Sequence, residues 1–223
     1  LGLPLHTMLI GITFKDSFVE FQNTGKNEIS IEQRKKLLEF ADLSSLYDKF
    51  VKSKFDIYCK EKINLYSHTQ AGKDLVNESY KNFCQKNKIL ALDCLLDNNE
   101  LETLLTKTEQ KDLKEYKKEI EEKGDTFGIV YQIVNEKPQF IHRTFAEYFV
   151  AMFFTEKLNK EEEKSQQIIK YFLNNMMKYE NSMIFDFIYS KLSFVEYTDT
   201  YSDVVKHICF ILSRNGKILG NFS

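Results

Sequence analysis

A single change of hydrophobic period constrains the fold of this 223-residue chain more than any other feature. From Gly128 to Val134 the residues are β-branched and aromatic. Asn135-Glu136-Lys137-Pro138 has the composition of a turn, and Gln139-Phe140-Ile141 resumes an extended run. That pattern predicts a β-hairpin, the only convincing one in the sequence. Elsewhere apolar residues return mostly at three- and four-residue intervals, the spacing of helices. Only 2 Pro and 8 Gly in a Lys- and Glu-rich chain also favour helices over a many-stranded sandwich.

Pro4 suits the first turn of a helix, where its missing N–H costs nothing, and Leu5, Met8, Leu9 and Ile12 follow at helical spacing. Residues 22–30 have loop composition. A helix is expected from about Leu43 to Lys62, with Leu46, Tyr47, Phe50, Val51, Ile57 and Tyr58 as its apolar face. His68-Thr69-Gln70-Ala71-Gly72 reads as a break. A helix from about Asp74 to Leu96 uses Leu75, Val76, Tyr80, Phe83 and Leu90, with Ile89-Leu90-Ala91-Leu92 as core. Asp97-Asn98-Asn99 reads as a turn. The next helix spans about Leu101 to Glu122, with Thr106-Lys107 as a candidate break, and Lys123-Gly124-Asp125 ends it.

After the hairpin, Phe145, Tyr148, Phe149, Met152 and Phe153 form a helical stripe, and Thr144 with Glu147 reads as a capping box at its start. Asn159 to Lys164 is a polar spacer. Three shorter helices are expected on the stripes Ile168/Ile169/Phe172/Leu173/Met176, Ile184/Phe185/Ile188/Tyr189/Leu192 and Val204/Val205/Ile208/Ile211/Leu212. No fixed-period repeat is visible. The fold class expected is mainly α: the end of a first helical domain (1–67), a winged-helix domain with one β-hairpin (68–158), and the start of a second helical domain (159–223).

Apolar residues make up 43% of the chain and aromatics 14%, ample for a buried core. A net charge of −2 provides no global basic field for nucleic acid or anionic lipid. The four cysteines, Cys59, Cys84, Cys94 and Cys209, form no CxxC and read as buried or free thiols in a reducing, cytoplasmic compartment. No apolar run approaches the ~18–20 residues of a membrane span, so no membrane partner is expected. The chain opens at Leu1 in an apolar segment, which reads as a fragment of something larger.

A winged helix raises a nucleic-acid hypothesis. Its recognition helix would lie at about 101–122, where lysines alternate with Glu and Asp and no Arg is present to read guanine; nucleic acid is not the expected partner. No G-x-x-x-x-G-K-[ST] loop occurs, so hydrolysis by this chain on its own is not expected. His6, His68, His142 and His207 have no Cys or His partner at metal-ligand spacing. His142 differs by its setting, where a strand ends and a helix begins. A histidine there can be purely structural. It can also add a hydrogen bond or charge to an anion at the positive helix end.

The run Phe140-Ile141-His142-Arg143-Thr144-Phe145-Ala146-Glu147-Tyr148-Phe149-Val150-Ala151 resembles the F-x-H-x-[ST]-F-x-E-[YF]-x-A-A run in the winged helix of NACHT proteins, NLR-like members of the STAND signal-transduction ATPases. Leu3-Pro4-Leu5-His6-Thr7-Met8-Leu9-Ile10 is similar to the helix that follows the NACHT nucleotide-binding core, with Leu3 in place of the usual Asn. Leu46-Tyr47-Asp48-Lys49-Phe50-Val51 is similar to the helix preceding the winged helix. The resemblance implies that Pro4 packs near adenine and that His142 contacts the β-phosphate of ADP. It also implies that ADP or ATP is held by an upstream P-loop core of the same protein, with no cofactor for this segment alone, and that activation brings homo-oligomerisation. The other two readings are a nucleic-acid-binding winged helix and a helical protein-interaction scaffold.

Overall fold

The structure, a computed structural model, describes residues 43–61, 69–125, 127–158, 163–175 and 183–193. It is mainly α, with one small antiparallel sheet among these residues. The elements are α1 (Leu43–Glu61), α2 (Gln70–Leu95), α3 (Asn98–Leu104), α4 (Lys107–Lys123), β1 (Val130–Val134), β2 (Lys137–Phe140), α5 (Arg143–Leu158), α6 (Glu163–Asn175) and α7 (Ile184–Ser193). Pro4, His6, His68, His207, Cys209 and the expected helix around Val204 to Leu212 lie outside the described residues.

The chain forms two compact units, with the division inside α2. One contains α1, α2 as far as Phe83, and Phe127 with Gly128. Its core is aromatic: Phe55 meets Tyr80 edge-on at 5.0 Å, and Phe127 lies 4.4 Å from Phe83 and 4.3 Å from Tyr58, ring centre to ring centre. Leu46, Tyr47, Phe50 and Val51 are buried as their spacing predicts, but Ile57 is exposed and Phe55 and Cys59 are buried instead. The reason is geometric. The row Tyr47, Val51, Phe55, Cys59 advances four residues at a time, and in the second half of α1 it is this row that stays covered, not the adjoining side on which Ile57 follows Phe50 two turns on. The expected break at 68–72 also moves: Gln70, Ala71 and Gly72 already belong to α2, whose first turn is held by Thr69 Oγ1 accepting the Gly72 N–H at 3.1 Å. Leu75, expected to pack, is exposed.

The second unit runs from Cys84 onward and has α5 at its centre, packed against β2, α6 and α7. Ile89 to Leu92 of α2 are fully buried, as expected. The helix expected over 101–122 is interrupted at Leu105-Thr106, and each piece has its own start. Asp97 caps α3 and Thr106 caps α4, each in a reciprocal box with a glutamate three residues on, Glu100 and Glu109. The boxes satisfy N–H groups that each helix start would otherwise leave unpaired. Asp97 is therefore a cap, not the first residue of a free turn.

The hairpin is tighter than its composition suggests. Its loop is Asn135-Glu136 alone, both with positive φ (50° and 62°), and Lys137 and Pro138 already pair within β2. Two left-handed residues in succession match the right-handed twist of the flanking strands. Asp125 fixes the approach to β1 by accepting the Ile129 and Val130 N–H groups at 2.8 and 3.0 Å.

Helix α5 is not amphipathic in its first half. Phe145, Ala146, Glu147, Tyr148, Phe149, Val150 and Ala151 are consecutive and all buried, as in a helix enclosed by neighbours on every side. In α7 the expected contact Tyr189 is exposed and Phe187 is buried in its place, meeting Tyr148 edge-on at 5.5 Å.

Candidate functional site

His142 lies between β2 and α5. The Ile141 N–H still donates to Ile129 O at 2.9 Å, an extension of the sheet, and the His142 carbonyl already accepts from Phe145 N–H at 3.0 Å, the opening of the helix. The strand-to-helix change therefore occurs within one residue. The histidine side chain is exposed. Its Nδ1 accepts the Thr144 N–H at 3.3 Å and lies 2.9 Å from Thr144 Oγ1. A backbone N–H can only donate, so Nδ1 is the acceptor and the neutral ring carries its proton on Nε2. Among the described residues Nε2–H has no partner, leaving a donor at the positive end of a 16-residue helix.

This arrangement corrects the cap expected from the sequence. Thr144 is inside the first turn of α5, and the position before the helix is His142. Glu147 takes Arg143 Nε at 3.1 Å rather than completing a box at Thr144. Burial is the main influence on the Glu147 carboxyl and raises its pKa. Asp186 adds to that rise, while Arg143 and the Met183 N–H oppose it.

A second polar cluster fixes the hairpin that leads to His142. The Lys137 ammonium donates to Asp93 O at 2.7 Å, Leu96 O at 2.8 Å and Asp93 Oδ1 at 3.3 Å. These are carbonyls at the end of α2, where a cation is favoured. Asp93 is buried and also receives Lys117 of α4 at 3.1 Å. One carboxylate thus joins α2, α4 and β2. Lys88 of α2, buried to its tip, pairs with Glu156 of α5. Nothing in the local sequence announces these contacts, because the partners are tens of residues apart.

The α4 surface, where a recognition helix would lie, is electrically mixed, as its alternating charges predict. Lys111 lies 3.6 Å from Glu115, Lys118 lies 3.7 Å from Glu122, and Glu119 receives Lys86 at 2.8 Å. Pairs of this kind mark a solvated face rather than a phosphate-binding stripe. Cys59 and Cys84 are buried and Cys94 is half-buried, and none of the three is in a disulfide. Among the described residues no cluster of His, Cys, Asp or Glu could hold a metal ion, and no helix is long and apolar enough to cross a membrane.

Pro4 lies outside the described residues, so of the two positions implicated in nucleotide contact only His142 is placed. Arg143 and Glu147, which flank it on α5, were missed as a pair from the sequence. Their i, i+4 spacing on one helix was the available signal. Comparison with known proteins gives no match: no family model, no curated protein and no solved structure matches this chain.

Proposed function

We propose that this chain is the regulatory helical and winged-helix segment of a NACHT-type, nucleotide-dependent signalling switch, cytoplasmic and engaged in defence or stress signalling. In this role it closes over ADP held by a P-loop core of the same protein. His142 donates to the β-phosphate and Pro4 packs against the adenine. ADP stabilises the closed form through contacts that the open form lacks. Exchange to ATP weakens them, so the population shifts toward an open form that exposes an oligomerising surface. The segment contributes no catalytic group; hydrolysis belongs to the core.

The observation that carries this reading is the state of His142: exposed, with Nδ1 engaged by Thr144 and the Nε2 proton directed to no protein acceptor among the described residues. The helix–helix–helix–hairpin order of α2, α3, α4, β1 and β2 supports it as the outline of a winged helix. The test is His142→Ala in the full-length protein. Losing one hydrogen bond to a charged phosphate, worth about 1.5–3 kcal/mol, speeds ADP release roughly ten- to 150-fold and raises basal activation. Unchanged ADP retention with unchanged basal activation refutes the reading.

A further inference from the structure

One turn beyond His142, α5 buries a carboxylate. Glu147 is 3% exposed, in a run of otherwise apolar residues. Its partners come from two helices. Arg143, on its own helix, donates to it through Nε, and the Arg143 side chain is 68% exposed. The N–H of Met183, immediately before α7, donates to it as well. The first turn of α7 also brings a second carboxylate, Asp186, whose charge acts on Glu147. From the end of α2, Cys94 lies within electrostatic reach of both Glu147 and Arg143.

We infer that the docking of α7 on α5 is a charge-strained joint, set to release when Arg143 is drawn away from Glu147. A carboxylate removed from water needs a close and well-enclosed cation, or its burial costs more than the pairing returns. Arg143 is close but mostly in solvent, where its attraction is screened. Asp186 opposes the same charge from the facing helix. The upward shift of the Glu147 carboxyl agrees in sign: the ionised form is disfavoured where it sits. Once Arg143 leaves, the buried Glu147 carboxylate keeps the Met183 N–H in its favour and has Asp186, in the first turn of α7, acting against it. The first turn of α7 is then the part expelled.

Arg143 is the neighbour of His142, so the additional phosphate of ATP, arriving at that position, competes with Glu147 for the guanidinium. This trigger rests on the nucleotide reading above; the joint does not. Glu147 and Arg143 act here as positioning residues. Their effect falls on the first turn of α7.

The experiment is amide hydrogen exchange over residues 184–193 in the full-length protein. At neutral pH without added nucleotide, Arg143→Met accelerates exchange there about tenfold. Glu147→Gln, which keeps an acceptor for Met183 and removes the charge, leaves exchange at or below the wild-type rate, and Arg143→Met adds nothing in that background. Glu147→Leu, which removes the acceptor too, accelerates it. The joint is overturned if Arg143→Met leaves α7 unchanged, if it acts equally with Gln at position 147, or if Gln there loosens α7 as much as Leu. A second arm compares ADP with ATP. Faster α7 exchange with ATP, lost in Glu147→Gln, supports the trigger. Equal exchange with both nucleotides overturns the trigger, while the variants still decide the joint.

Discussion

Lys137 is the side chain whose removal tests most directly how the hairpin is held. Lys137→Met keeps the aliphatic stem and deletes the charge. All three of its N–H donors are engaged, two by carbonyls ending α2 and one by the buried Asp93 carboxylate. A buried hydrogen bond to a charged group contributes about 1.5–3 kcal/mol. The Lys137 side chain is 36% exposed, so water replaces part of what is lost. Asp93 also keeps Lys117 at 3.1 Å. With both discounts, the expected loss is about 2–3 kcal/mol for the three contacts together. The assay is native-state hydrogen exchange of the β1–β2 ladder amides, because a chain of two compact units need not unfold in one step. Local opening that is easier by this amount speeds exchange roughly 30- to 150-fold. Lys117→Met, which removes one contact from the same carboxylate, gives a smaller acceleration. Ladder exchange within about twofold of wild type would refute the reasoning, since the cluster would then contribute nothing to holding the hairpin.

Two further outcomes follow from local geometry. Glu136 has φ 62°, a left-handed conformation disfavoured for residues with a Cβ, so Glu136→Gly should stabilise the hairpin by roughly 0.5–1 kcal/mol, read as slower ladder exchange. The second concerns pH. The Glu147 carboxyl is raised by burial and by Asp186, against Arg143 and the Met183 N–H, and Asp186 is itself raised by burial. Between the ordinary carboxyl range and these raised values the folded state binds more protons than the unfolded state, so stability falls as pH rises through that window. Mild acidification therefore tightens α7, measured as exchange corrected for the intrinsic pH effect. Glu147→Gln flattens this response. A wild-type response in the opposite direction would show that Arg143 dominates the burial cost.

The sequence made the backbone plan legible because that plan is local. A hairpin among helices follows from a change of period, and the break before Lys107 follows from Thr106 with Glu109. Side-chain placement was less legible wherever a face had to be chosen. Tyr189 fits an apolar stripe by type, yet Phe187 fills the core, because one step along a helix turns a residue by about 100°. At the candidate site, His142 could be found by its position at a strand–helix junction. Its tautomer could not, since that depends on a backbone N–H two residues on. Lys137 was read as part of a turn, and its acceptors are more than forty residues away. No periodicity encodes a contact of that range.

The enclosure of α5 changes how much a motif at this place can mean. From Phe145 to Ala151 every position is buried, so packing alone limits which letters can stand there. An unrelated protein with a hairpin feeding an enclosed helix would be driven toward a similar run of aromatic and small residues. Agreement at those positions therefore reports architecture. The chemical information in the run is confined to the letters that packing does not dictate: His142 and Arg143, which face solvent, and Glu147, a charge among buried apolar neighbours. A useful search for relatives of this chain would weight those three positions above the apolar ones around them.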